Sequence, residues 1–233
     1  MTAETNSILI SGVNRGIGAA LLRRYAQAGW RVHGVAREQS AVDLGDLNPS
    51  ARDNVLLYEC DLRQWDEIER LAASLTEPLD VLINNAATFG EHAFYARDFA
   101  PAAMLDAFAV NVVGPALLAR ELRAALLQGR RKLIVMMSTG NASLSGNTGG
   151  QMFAYRATKS ALNQVVRTIA AEWGAEGITT VALNPGWVRT DMGGENAPLT
   201  PEEAAEQIFR FVAAAGPELN GMFCNTDKSP LPW

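Results

Sequence analysis

A doubly wound α/β domain, its parallel sheet covered by helices on both faces, is the fold that these 233 residues predict. Three observations carry that expectation. Short apolar runs alternate with longer segments of helical period. The runs are apolar throughout instead of alternating with polar residues, which marks strands buried on both faces. No internal repeat, low-complexity tract or linker divides the chain, so residues 1–233 read as a single domain.

The elements follow in order. Ser7 to Ser11 is a buried strand, followed by a glycine-rich turn and an amphipathic helix from about Gly16 to Ala28. Arg31 to Ala36 is the second strand and Asn54 to Cys60 the third. Between them, Glu38 to Asp53 has poor helical period and allows only a short or irregular crossover. A helix from Arg63 to Leu75 leads to the fourth strand, Leu79 to Ile83. A long helix covers about Ala102 to Gln128 and should kink at Gly114-Pro115, where the proline removes a backbone donor. Lys132 to Met137 is the fifth strand, Met152 to Trp173 the next helix and Ile178 to Leu183 the sixth strand. Thr200 is a candidate N-cap for a last helix, Pro201 to Ala215, with the proline in its first turn. Asn220-Gly221 then turns into a short final strand, Met222 to Asn225.

Composition narrows the class. With 48% hydrophobic and 19% charged residues, the chain has an ordinary globular balance and enough length for a full core. A net charge of -5 argues against general affinity for nucleic acid or anionic membranes. Two cysteines, Cys60 and Cys224, and two histidines, His33 and His92, are too few for a structural zinc site or a disulfide framework. Cys60 lies in an apolar run and reads as a core thiol. The polar start, Met1 to Ser7, lacks a signal-peptide pattern, and no apolar run reads as long enough to span a bilayer. A reduced, cytoplasmic protein is expected.

The first turn points to a dinucleotide. Gly12-Val13-Asn14-Arg15-Gly16-Ile17-Gly18 follows the first strand and opens the first helix, the context that gives a glycine pattern meaning. Gly12 permits a tight turn, Gly16 lets backbone approach a pyrophosphate, and Gly18 allows close helix–strand packing. The spacing is G-x3-G-x-G, not G-x-G-x-x-G. About twenty residues on, where an acid would bind a ribose 2′-hydroxyl, the chain has Ala36-Arg37. An acid would repel a 2′-phosphate, whereas Arg37 can pair with one, and Arg15 in the turn can clamp its other side. NADP(H) is therefore expected in preference to NAD(H). Asp61-Leu62, ending the third strand, is placed either at an adenine edge or as an N-cap for the following helix.

Tyr155 and Lys159 are four residues apart and share one face of their helix. A phenol of pKa roughly 10 is a poor proton donor or acceptor at neutral pH. An ammonium beside it should lower that value and let the pair pass a proton to a carbonyl oxygen as hydride reaches the carbon.

Gly12 to Gly18, Asn84-Asn85-Ala86, Asn111, the hydroxyls after the fifth strand, Tyr155/Lys159 and Asn184-Pro185-Gly186 occur in an order that resembles the short-chain dehydrogenases/reductases of the single-domain branch. The likeness spans essentially the whole chain. The stretches Tyr155 to Asn163, Pro185 to Gly194 and Leu231-Pro232-Trp233 are similar, more narrowly, to carbonyl reductases of the sniffer type and to bacterial C-factor-like proteins.

The resemblance implies a Rossmann-like sheet of about seven strands in the order 3-2-1-4-5-6-7, with the site at the carboxyl ends. It implies that Tyr155 is the general acid in reduction, and that Lys159 holds the nicotinamide ribose and lowers the tyrosine pKa. Asn111, in a helix distorted just before Gly114-Pro115, would expose its carbonyl to a water relaying protons to Lys159. Asn85, Ala86 and Ala87 would lie against the cofactor, Ala87 standing where the family usually has glycine. Pro185, Gly186, Val188 and Thr190 would hold the carboxamide edge of the nicotinamide.

The family ends its fifth strand with two serines, the second of which polarises the substrate carbonyl. Here the strand ends Met136-Met137-Ser138-Thr139, which points to Thr139, with Ser138 next and Ser143 in the following loop as a further alternative. Threonine donates the same hydrogen bond, though its methyl restricts the rotamer. Candidates for the substrate wall are Phe94 and Tyr95, Met152 and Phe153, and Trp187 and Met192, which suit a flat or apolar carbonyl compound. Apart from Arg97 and Arg189, no Arg or Lys is obviously aimed at the pocket, so a multiply anionic substrate is not indicated. Gly193 to Leu199 reads as a short mobile lid. An NADPH-dependent reductase of aldehydes, ketones or quinones is the leading expectation. A cofactor-binding regulatory protein of C-factor type, on the same fold, is the alternative. Family members often pair through their two long helices, which implies a homodimer or homotetramer.

Overall fold

The structure is a computed structural model that describes residues 5–90 and 93–233. His92 and the first residues of the polar start lie outside the described residues. Seven strands build one parallel sheet: β1 (Ser7–Ser11), β2 (Arg31–Ala36), β3 (Val55–Glu59), β4 (Val81–Asn84), β5 (Leu133–Met137), β6 (Thr179–Asn184) and β7 (Phe223–Asn225). Their order is β3-β2-β1-β4-β5-β6-β7. Successive crossovers reverse direction between β1 and β4, so their connections part at the carboxyl ends and open a crevice there.

Among the described residues, eight α-helices cover the sheet: α1 (Gly16–Gln27), α2 (Pro49–Arg52), α3 (Trp65–Ser74), α4 (Pro101–Phe108), α5 (Gly114–Glu121), α6 (Arg123–Gln128), α7 (Phe153–Trp173) and α8 (Pro201–Ala214). One face of the sheet packs on α1 and α8 through Leu21, Leu22, Tyr25, Ile208 and Phe211. The other packs on α3, α5 and α7 through Ile68, Leu71, Leu118, Leu162 and Val166. Each fully buried Leu, Ile or Phe contributes roughly 1.5–3 kcal/mol. The strand residues Ile8, Leu9, Ile10, Leu82 and Ile83 are completely buried, as continuous apolar runs require.

Local chemistry sets the ends. Thr200 Oγ1 accepts from the Glu203 amide at 3.1 Å while the Glu203 carboxylate accepts from the Thr200 amide at 2.8 Å, a capping box that starts α8. In the irregular crossover, Asn48 Oδ1 accepts from the Ala51 amide at 2.9 Å and starts the single turn of α2. Asp61 does not cap α3. Its carboxylate accepts from the Arg63 amide at 3.0 Å, forming a turn that delays the helix to Trp65.

The long helix is distorted one turn earlier than the proline alone indicates. Residues Ala109–Val113 form a π turn between α4 and α5, in which the Gly114 amide reaches back to Ala109 O. Pro115 has no N–H to give the Asn111 carbonyl four residues back, the bond a regular helix would make there. A second break falls at Leu122, between α5 and α6. One expectation needs correcting: the run Pro101–Glu121, with a mean hydropathy of 1.7, is long and apolar enough to cross a bilayer by length and composition. Here it packs within the domain, against α3 and α7.

Candidate active site

A cleft of about 1370 Å³ opens at the carboxyl ends of the central strands. Its floor is built from backbone. Gly12 turns the chain out of β1 with a φ of +75°, and a Cβ there would lie 2.9 Å from Ala86 Cα. A Cβ on Gly18 would drive into the Gly12 carbonyl, so α1 can start this close to β1 only with glycine. Asn85 locks the arrangement. Its Nδ2 donates to Ser11 O at 3.0 Å and Gly12 O at 3.2 Å, and Ser11 Oγ accepts from the Asn85 and Ala86 amides.

The start of α1 faces the cleft. Its N-cap position, Arg15, offers no side-chain acceptor, and no acid lies in its first turn. Amides of that turn are therefore available to an anion. Asn14, Gly16 and Ile17 line the cleft here. An uncapped helix start behind a turn with no room for side chains fits a dinucleotide pyrophosphate.

Arg37, Asp61 and Leu62 line the end of the cleft beyond β2 and β3. Asp61 is paired with Arg63 at 2.5 Å, which holds its carboxyl below the usual range, and Arg37 adds to that field. Arg15 lines the same cleft, and its guanidinium is engaged there. It forms an ion pair of 2.5 Å with Asp191, on the segment after β6. Asp106 on α4 also lines this end and went unread, since the sequence around it is apolar and helical.

Tyr155 and Lys159 project from the first two turns of α7 onto the end of β5. Lys159 is 2% exposed, and its Nζ donates to Met137 O at 2.7 Å. Burial pulls its pKa down to about 8. The Tyr155 hydroxyl is hydrogen-bonded to Thr139, and burial pushes its pKa up to about 12 against that bond. This reverses the expected effect of the lysine. Its Nζ lies 5.9 Å from the phenol ring centre and is turned to Met137 O, so burial dominates. The phenol is therefore neutral and carries its proton at physiological pH.

The three candidate hydroxyls separate. Thr139 lines the cleft beside Tyr155, and its Oγ1 accepts from the Asn141 amide at 3.3 Å. The Ser138 hydroxyl is spent on Asn163 Oδ1 of α7 at 2.7 Å. Ser143 is buried with its hydroxyl on Trp233 O at 3.3 Å, outside the cleft. Asn111 is fully buried in the π turn. Its side chain exchanges two 2.8 Å bonds with the Thr88 backbone and donates to Thr158 Oγ1 at 3.0 Å. It thus ties the segment after β4 to α7.

At the other end, Pro185, Gly186, Val188 and Thr190 line the cleft with Ala86 and Ala87. Phe94, Trp187 and Met192 line its outer part, as do Met152 and Arg189. Phe153 does not: its ring packs on Phe99, with centroids 5.1 Å apart, because it points away from Tyr155 at the start of α7. Tyr95 packs edge-on against Phe94 and under Arg97 instead of facing the cleft. Phe89, unforeseen, packs edge-on to Tyr155 at 4.8 Å. The segment 193–199 is no free lid. Leu199 bridges Val188, and backbone bonds join Arg189 to Leu199 and Gly194 to Thr190.

Residues 6–200 match the family model described as short chain dehydrogenase, and the chain belongs to that family of oxidoreductases. It is 36% identical over 158 residues to C-signal of Myxococcus xanthus, covering 68% of this chain and 95% of that protein. It is 31% identical over 194 residues to the NADPH-dependent pterin aldehyde reductase of Arabidopsis thaliana, covering 80% of this chain and 76% of that protein. Among solved structures, the carbonyl reductase Sniffer of D. melanogaster superposes with a TM-score of 0.87 at 30% identity, over 99% of this chain and 100% of the other.

Proposed function

We propose that the protein is an NADPH-dependent carbonyl reductase acting on an aldehyde, ketone or quinone. The observation that carries this reading is the convergence of Tyr155, Thr139 and Lys159 on one point of the cleft floor, beside a helix start fit for a pyrophosphate. When bound, the cofactor supplies the hydride.

The chain's own groups handle the oxygen and the proton. Thr139 Oγ1 accepts a hydrogen bond from the Asn141 amide and stands beside the Tyr155 hydroxyl, where its O–H can turn to polarise a substrate carbonyl. Tyr155, kept protonated by burial, donates its proton to the same oxygen as the carbon is reduced. The buried Lys159 ammonium stabilises the phenolate left behind and holds the ribose hydroxyls. Asn111 acts as a positioning residue from within the π turn. Arg37 would pair with the 2′-phosphate, an assignment supported by its exposure at the end of β2 and by the NADPH dependence of the Arabidopsis relative.

The likeness to C-signal does not favour the regulatory alternative, because this cleft retains the proton-transfer groups together. The test is NADPH consumption by purified protein against aldehydes, ketones, α-dicarbonyls and quinones, with NADH in parallel. Turnover preferring NADPH is expected. Tight NADPH binding with no turnover across the panel would overturn the reductase reading.

A further inference from the structure

We propose that Asn141 is a substrate-recognition residue whose side-chain amide selects carbonyl compounds with a second oxygen beside the reacting one, such as vicinal dicarbonyls and α-hydroxy ketones. The inference rests on the carbonyl-reductase reading and specifies which substrates that site prefers.

Asn141 is two residues beyond Thr139, and its backbone is fixed at two points. Its backbone amide donates to Thr139 Oγ1 at 3.3 Å. Its carbonyl accepts from Arg156 Nη1 at 3.2 Å, and Arg156 directly follows Tyr155 on α7. Its backbone is therefore tied both to Thr139 and to the helix that carries Tyr155. The side chain lines the cleft, where its Nδ2 has only the Met152 thioether for an acceptor, at 3.7 Å. Sulfur of that kind is a weak acceptor, so an amide N–H parked on it gains from a substrate oxygen.

Met152 is held in that place by unusual backbone. Gly150, Gln151 and Met152 have φ of +64°, +62° and +48°, three successive residues in the left-handed region, two of them with a Cβ. Residues of that kind persist where the surroundings fix them, and they concentrate at ligand sites. Trp187, which also lines the cleft, offers no competing donor, because its indole N–H is spent on Gly193 O at 2.7 Å. A simple ketone would leave the Asn141 donor on sulfur. A second oxygen adjacent to the first would take it.

The test compares 1-phenyl-1,2-propanedione with propiophenone, a diketone and its matched monoketone, using the full chain and NADPH. In Asn141→Leu the ratio of kcat/KM values, diketone over monoketone, is expected to fall about tenfold, the scale of one neutral hydrogen bond. Asn141→Asp, which keeps an acceptor and loses both donors, is expected to lose the preference as well. NADPH affinity by fluorescence titration checks that each variant is folded. An unchanged ratio, or retention of the preference by Asn141→Asp, overturns the proposal while leaving carbonyl reduction intact. If the wild-type protein binds NADPH yet reduces neither compound nor any other carbonyl, the reductase reading falls and this inference with it.

Discussion

The floor of the cleft and its outer walls are held by different means. On the floor, Ser11, Gly12, Asn85, Met137 and Lys159 are joined by hydrogen bonds to main-chain atoms at the ends of buried strands. On the walls, Phe94 and Trp187 are large exposed side chains on connecting segments, Trp187 57% exposed. A floor of this kind tolerates little change, since each member is placed by the sheet itself. Phe94 and Trp187 make no hydrogen bond to the floor residues named above, so such wall side chains are freer to change. On the proposed reading, proton transfer falls on the hydrogen-bonded part and substrate choice on the part free to vary.

Tyr155→Phe breaks the floor while sparing the walls, and the largest effect is expected from it. Losing a positioned proton donor costs about 10²–10⁴-fold in turnover. NADPH affinity, read by fluorescence titration, should persist because the glycine turn is untouched. A variant that still reduced substrate at a tenth of the wild-type rate would remove Tyr155 as the donor.

The same division governs what the sequence reveals. Strands and the glycine turn are legible because continuous apolar runs and glycines at Gly12 and Gly18 answer to backbone sterics alone. The helix signal at Thr200-Pro201 is equally local, and the capping box follows from it. Ser138 and Thr139 show the limit. Adjacent residues at a strand end face opposite ways, so one must meet α7 and the other the cleft. Only the packing, with Asn163 taking Ser138, decides which. Phe153 was likewise unreadable, because its partner Phe99 is brought to it by the fold from more than fifty residues away. The sign of the Tyr155 shift depends on burial, a tertiary quantity that no four-residue spacing contains.

Arg37→Asp sharpens the comparison at the open end of the floor. It replaces a guanidinium facing the cleft with a carboxylate beside Asp61, in a region where Arg37 now contributes to the field. The NADPH-to-NADH ratio of kcat/KM is expected to fall about 10- to 100-fold, the scale of a charge-assisted pair. An unchanged ratio would remove Arg37 from the phosphate site.

Lys159→Met asks what the floor costs in stability. The folded pKa of about 8 lies below the ordinary 10.5, so folding disfavours the ammonium. Between those values the unfolded chain binds more protons, and stability rises with pH across that window. The cost is present in full below about pH 8. Removing the charge should therefore stabilise the protein at pH 7 by about 1–2 kcal/mol, the burial gain reduced by the lost bond to Met137 O. Denaturant melts at pH 7 and pH 10 measure it, and the variant's advantage should shrink at the higher pH. A variant less stable at pH 7 would show that the bond to Met137 O outweighs burial.

The smallest effect is expected where floor and wall meet. Arg15 belongs to the glycine turn and Asp191 to the wall segment, and their ion pair spans the cleft. Both side chains are largely exposed, so the pair itself is worth at most about 1 kcal/mol. Its consequence is competitive: while Arg15 holds Asp191, it is less available to a cofactor phosphate. Asp191→Asn should then tighten NADPH up to about fivefold, with less gain for NADH, and the difference should fade in high salt. Weaker binding in the variant would mean that Asp191 serves to aim Arg15 at the cofactor instead of competing for it. Either way the wall would be shown to act on the floor through this one contact, a coupling that the hydrogen-bonded strand ends do not themselves provide.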